Sequence, residues 1–179
     1  MRNFISEDDI EQAILQKLEG DPFQYGILRC APSPDKRELL PDGTGRSSKK
    51  ECVLPLILRE ALARLNPDIP GEKLEEIARD LCRDFSATDM TATNYKYYNQ
   101  IRNGIKISLR RNGKEDFDFV KLVDFDRPEN NTFTAVSQMW IQGRVYWRRP
   151  DVLIFINGLP MVFVELKNSI VNYESLTAN

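Results

Sequence analysis

The 179-residue chain contains no histidine. That absence removes Ser-His-Asp and Cys-His nucleophilic machinery, and it removes histidine-ligated zinc and other histidine-based metal sites. Acid–base chemistry is left to carboxylates, lysine, tyrosine or water activated by a metal. Cysteine is scarce: Cys30, Cys52 and Cys82 are an odd number with no metal-ligand spacing. Cys82 falls on the apolar face of a predicted helix, where it reads as a core thiol, and the pattern fits a reducing, cytoplasmic setting. No apolar run approaches the roughly 20 residues needed to cross a bilayer, so no membrane partner is expected. The amino-terminal MRNFISEDDIEQ is acidic where a signal peptide would be apolar. No GxxxxGK[ST] phosphate loop occurs. Gly43-Thr44-Gly45-Arg46-Ser47-Ser48-Lys49 has its composition without its spacing and reads as a polar surface loop, so this chain is not expected to bind ATP. Basic excess is missing as well. A net charge of −2 and a pI near 5.4 argue against a general nucleic-acid binder.

What remains is ordinary for a globular protein, with 41% hydrophobic and 29% charged residues. The length suits one domain spanning 1–179 with a sizeable core. Ser6 followed by Glu7, Asp8 and Asp9 is a good helix start, and Ile10, Ile14 and Leu18 continue a stripe that ends at Gly20-Asp21-Pro22. Residues 30–50 are rich in proline, glycine and polar residues and read as a long mobile loop. Further helices are predicted from Pro55 to Asn66, from Gly71 to Phe85 and from Ala92 to Arg102. The last holds Tyr95, Tyr97 and Tyr98, where helix packing competes with stacking on bases. Strands are predicted over Lys106–Arg110, Phe117–Phe125 and Phe133–Met139. A final helix from near Asn172 runs uncapped to Asn179, which suggests a fragment of a longer chain.

The most informative segment is RPDVLIFINGLPMVFVELKN, a hairpin over residues 150–168 with its lead-in. Val152–Ile156 and Met161–Val164 have strand composition, and Asn157-Gly158 is a strong turn signal because both residues tolerate positive φ. Antiparallel pairing places Asp151 beside Glu165 and Lys167, with the last two on one face. The apolar runs lack polar alternation and read as strands buried on both sides of a sheet covered by helices. Charges at the end of such a sheet must be solvated, paired or bound to a metal. The competing reading is an ordinary ion pair of Lys167 with Glu165 or Asp151. The metal-dependent reading assigns Mg²⁺ (with Mn²⁺ able to substitute) to Asp151, Glu165 and the carbonyl of Leu166. Lys167 then orients or helps deprotonate water and stabilises charge on a phosphodiester in hydrolysis. Arg144, Arg148 and Arg149 lead into Asp151, and Arg148 and Arg149 are the candidates for DNA contact. The basic stretch Ile101–Lys114 is balanced between phosphate tracking and solvated surface.

The Pro150-Asp151 … Glu165-x-Lys167 pattern resembles the PD-(D/E)xK nuclease core. The wider run from Arg149 through Asn157-Gly158-Leu159-Pro160 to Asn168 resembles the R subunit (HsdR) of type I restriction endonucleases. Leu122-Val123-Asp124-Phe125, Pro128 to Phe133 and Ser137-Gln138 fit the same family. The likeness is good from about Phe117 to Asn168 and weak before it. It implies an α/β fold with a central mixed sheet flanked by helices, and Asp151, Glu165 and Lys167 as the catalytic set. In many such nucleases a helix-borne Glu joins the metal; Glu11, or Glu7 one turn earlier, is the candidate, with surface solvation as the rival role. The resemblance implies double-stranded DNA as substrate. It also implies ATP-driven translocase domains elsewhere in the full-length subunit, and methylase (M) and specificity (S) subunits as partners. The alternatives are another nuclease of the superfamily, in repair or mobile-element defence, or a non-catalytic domain for DNA binding or subunit docking.

Overall fold

The structure is a computed structural model that describes residues 6–30, 40–83, 89–111 and 113–167. Helix α1 (Glu7–Glu19) begins on a reciprocal cap. The Ser6 hydroxyl accepts from the Asp9 N–H at 3.1 Å, and the Asp9 carboxylate accepts from the Ser6 N–H at 2.9 Å. Strand β1 (Gly26–Arg29) follows. Helix α2 (Pro55–Leu65) opens on proline in its first turn, and α3 (Gly71–Leu81) buries Leu74, Ile77, Ala78 and Leu81 along one stripe. Helix α4 (Met90–Asn103) is capped by the Asp89 side chain and stops at Gly104. The remaining strands are β2 (Ile105–Arg111), β3 (Lys114–Val120), β4 (Phe133–Ser137), β5 (Ile141–Gln142), β6 (Trp147–Arg148), β7 (Val152–Ile156) and β8 (Leu159–Val164).

The central sheet is mixed, in the order β1-β4-β7-β8, with β1 parallel to β4 and the other neighbours antiparallel. Strand alternation sends side chains to two cores. Ala135 and Val152 meet Leu15 and Leu18 of α1 on one face. Val136, Leu153 and Phe155 meet Leu54 and Ile57 at the start of α2 on the other. A third cluster packs α2 and α3 against the β2–β3 ribbon and Leu159. The expected α/β architecture with helices on both faces is what the chain adopts.

Several expectations need correction. The strand expected over Phe117–Phe125 begins at Lys114 and ends at Val120. Beyond it the backbone is captured by side chains: the Lys121 N–H donates to Asn66 Oδ1 at 2.7 Å and the Asp124 N–H to Asn131 Oδ1 at 2.8 Å. The helix expected to reach Phe85 ends at Leu81, and the short β1, β5 and β6 carry no periodicity long enough to read. Strand β8 is not buried on both sides: it is an edge strand with Met161, Val162 and Phe163 exposed. Of the helical tyrosines only Tyr97 packs on the core, while Tyr95 and Tyr98 are exposed. Asn168 and the helix expected near Asn172 lie outside the described residues.

The described part of the expected 30–50 loop has no regular element, yet it is fastened from within. The Arg46 side chain, fully enclosed, pairs with Asp42 at 2.7 Å and donates to the carbonyls of Glu51 and Trp140, each at 3.0 Å. The Gln142 N–H donates to the Lys49 carbonyl at 2.9 Å, and the Lys49 ammonium lies 5.6 Å from the centroid of the Trp147 ring. Thr44, Arg46 and Lys49 are buried, so the Gly43–Lys49 segment is not simply polar surface.

Candidate functional site

Asn157 and Gly158 both take positive φ, 53° and 80°, as the tight turn between β7 and β8 requires. Residue Val152 pairs with Val164, so Asp151 and Glu165 face each other just beyond the hairpin's open end. Asp151 Oδ2 accepts from the Leu166 N–H at 2.5 Å, which binds the two strand extensions together and puts the Leu166 peptide beside Asp151. Lys167 Nζ lies 3.1 Å from Glu165 Oε1 with both side chains largely in solvent. The bond to Glu165 raises the Lys167 pKa, and the charges of Glu165, Glu7 and Asp151 act in the same direction. The ion pair of the competing reading is therefore present.

Helix α1 carries the two further candidate carboxylates. Glu11 and Glu7 are one turn apart on one face, but their settings differ. Glu7 is exposed, whereas Glu11 is 5% exposed, so surface solvation is excluded for Glu11. Its Oε2 accepts from Gln138 Nε2 at 2.5 Å. Burial pushes the Glu11 carboxyl above its ordinary range, the Gln138 amide pulls it back, Asp151 and Asp8 push it up, and Arg149 pulls it down. Arg148 and Arg149 are exposed, at the end of β6 and just after it. The Arg149 guanidinium lies 5.4 Å from the Trp140 ring centroid and Arg148 lies 5.8 Å from that of Tyr146.

Among the described residues no group of three or more Asp, Glu or Cys side chains is close enough to hold a metal ion. The donors at the hairpin end are nevertheless hard oxygens, two carboxylates and a backbone carbonyl. Mg²⁺ commonly takes one or two carboxylates and keeps several waters, so the chemistry of the Asp151/Glu165 pair fits it. Gln138 is the member that sequence reasoning left without a role. Its only signal was the Ser137-Gln138 match to the family; the strand predicted over Phe133–Met139 included it, whereas β4 ends at Ser137.

A mixed sheet with helices on both faces and an acidic, lysine-bearing hairpin end define a nuclease-like α/β core. The chain belongs to the family described as the type I restriction enzyme R protein N terminus, whose model matches residues 4–177. It is 33% identical over 165 residues to the type I restriction enzyme HindI endonuclease subunit of Haemophilus influenzae, covering 92% of this chain and 15% of that protein. It is 28% identical over 167 residues to the MjaIXP endonuclease subunit of Methanocaldococcus jannaschii, covering 89% of this chain and 15% of the relative. The chain thus spans about 15% of the length of these curated relatives. No helix among the described residues is long and apolar enough to cross a membrane.

Proposed function

We propose that this domain hydrolyses phosphodiester bonds of double-stranded DNA as the Mg²⁺-dependent endonuclease module of a type I restriction R subunit. The observation that carries the reading is the convergence of Asp151, the Leu166 peptide, Glu165 and Lys167 at one hairpin end. Asp151, Glu165 and the Leu166 carbonyl are the groups to hold the cation, with Glu11 as a further candidate. Mg²⁺ bound there supplies Lewis acidity toward the phosphodiester, and Mn²⁺ can take its place. Lys167, released from Glu165 once that carboxylate has another partner, orients the attacking water and offsets the negative charge that develops on the phosphate. Arg148 and Arg149 engage the DNA backbone beside the site. ATP-driven translocation and the methylase and specificity subunits belong to the full-length assembly, which supplies site recognition.

Lys167→Ala tests the reading in an R subunit assembled with its partners. Cleavage of a plasmid should fall by about 10²-fold or more while ATP-driven translocation persists. Parental cleavage by that variant rules the hairpin out as the nuclease site. Calorimetric titration of the present chain adds a second check: Mn²⁺ affinity should collapse in Asp151→Ala, and an unchanged affinity refutes the metal assignment.

A further inference from the structure

Strands β2 and β3 form a ribbon with one face on the core and one in solvent. Ile105, Ile107, Leu109 and Val120 pack inward. Alternation therefore turns Lys106 and Arg110 of β2, and Phe117 and Phe119 of β3, outward. Both rings are more than half exposed, and adjacent exposed rings of this kind mark a binding surface. Lys106 pairs with Phe119 in the register, and its ammonium lies 4.2 Å from the centroid of the Phe117 ring. Glu115, on the same face, accepts from the Ser108 hydroxyl at 2.8 Å. Phe119 is also one wall of a cavity of about 280 Å³ between the end of α4 and the segment after β3. Phe125, itself 61% exposed, is a second aromatic wall. Arg102, Asn103, Lys121 and Asp126 supply polar lining. Arg102 donates to the Tyr98 hydroxyl at 3.0 Å, and Lys121 pairs with Asp124 at 3.5 Å. The Asn157 side chain holds the carbonyl of Leu122 within this segment, so the cavity belongs to the turn end of the β7–β8 hairpin, away from Asp151.

We propose that this cavity and the ribbon beside it bind single-stranded DNA. One unpaired base enters between Phe119 and Phe125, and the sugar-phosphate chain runs over Arg102, Lys106 and Arg110. Rings set among cations are the combination that holds unpaired bases together with their phosphates. A protein-docking face is instead depleted of charge at its centre. The basic stretch Ile101–Lys114 thereby gains a partner that the nuclease reading does not give it. The site goes beyond the proposed nuclease function and does not rest on it.

Anisotropy of a labelled oligothymidine, titrated with the chain at low salt in EDTA, tests this without any metal. Phe119→Ala and Phe125→Ala should each weaken binding about fivefold or more, the lower end for one lost base stack. Their melting temperatures should stay near the parent's, because both rings are exposed. Phe125→Trp should bind like the parent, since it keeps a stacking face. A strand of abasic sites should bind weakly and lose nothing further from either alanine. Replacing Arg102 and Lys106 together with alanine should make the salt slope shallower by about 1.4, at about 0.7 per phosphate of a single strand. Parental affinity in both phenylalanine variants, or equal affinity for the abasic strand, overturns the proposal. Absence of binding by the parent chain also overturns it, and leaves the two rings to a protein partner. None of these results bears on metal affinity in Asp151→Ala, so the nuclease reading stands or falls on its own measurement.

Discussion

At the residue scale the hairpin turn is more than a reversal of direction. Asn157 is fully buried. Its side chain accepts from the Thr132 N–H at 2.8 Å and donates to the Leu122 carbonyl at 2.9 Å and to Asn131 Oδ1 at 2.8 Å. Next to it, a Cβ on Gly158 would stand 2.6 Å from the Leu54 carbonyl oxygen and 2.8 Å from the Leu58 nitrogen, so the turn is seated against the start of α2. Asn157→Ala leaves a buried donor and a buried acceptor unpaired, at roughly 1–3 kcal/mol each, and forces alanine to positive φ at about 1 kcal/mol more. Urea unfolding should therefore register a loss on the order of 3 kcal/mol or more. Asn157→Asp should lose at least as much, because its second carboxylate oxygen, buried and without a proton to donate, would face the Leu122 carbonyl and Asn131 Oδ1. A loss below about 1 kcal/mol in Asn157→Ala would mean that this network contributes little to stability. The Asn-Gly signal announced the turn from sequence alone. Asn157's side-chain partners come from elsewhere in the chain, and no local pattern contains them.

At the element scale, the segment around Arg46 shows where composition misleads. Glycine, serine and proline report that a stretch turns, not whether it is tied down. Here Arg46 ties the segment to Trp140, and Lys49 ties it to the β5–β6 ribbon, the element that carries Arg148 and leads to Arg149. Arg46→Ala strands the enclosed Asp42 carboxylate and two carbonyls, and should reduce stability by roughly 3 kcal/mol in thermal or denaturant unfolding. Arg46→Lys should recover only part, since one ammonium cannot reach all three acceptors.

Acid should act on the same element. Burial alone would raise the Asp42 pKa, but hydrogen bonds from Thr44 and Arg46 overcome it and hold the group below its ordinary 3.8. Asp124 is likewise held down, first by the Asn130 amide. A carboxyl with a lowered folded pKa contributes stability that is fully present above 3.8 and is lost as pH falls through the folded value. The melting temperature should thus drop below about pH 4, and the drop should be smaller in Asp42→Asn. An identical acid profile in that variant would remove Asp42 from the account. Helix starts and the sheet-forming runs were legible because they are local: Ser6 with Asp9, Pro55, and the apolar strands. The two-residue ribbon strands were not, because they have no periodicity of their own.

At the scale of the whole molecule the hairpin has two ends with different duties. The turn end gathers Asn157 and Asn131, and through Asn131 also Asp124, into a hydrogen-bonded knot. The fragments Leu122–Phe125, Pro128–Phe133 and Asn157-Gly158, which carried part of the family resemblance, therefore serve to lock the fold. The open end gathers Asp151, Glu165 and Lys167, with Glu11 and Arg149 nearby. With a net charge of −2, the chain as a whole does not attract DNA, so the proposed function requires phosphate contact to be local. On that proposal Arg148 and Arg149 are the first candidates to contribute to the salt dependence of duplex binding. Each phosphate neutralised contributes a slope of about −0.9 to log K against log salt. Replacing both arginines with alanine should make that slope shallower by about 2, and should weaken binding similarly on unrelated sequences. Anisotropy of a labelled duplex titrated at several salt concentrations measures both quantities. Parallel slopes for parent and double variant would show that neither arginine meets a phosphate, and that their stacking on Trp140 and Tyr146 is structural.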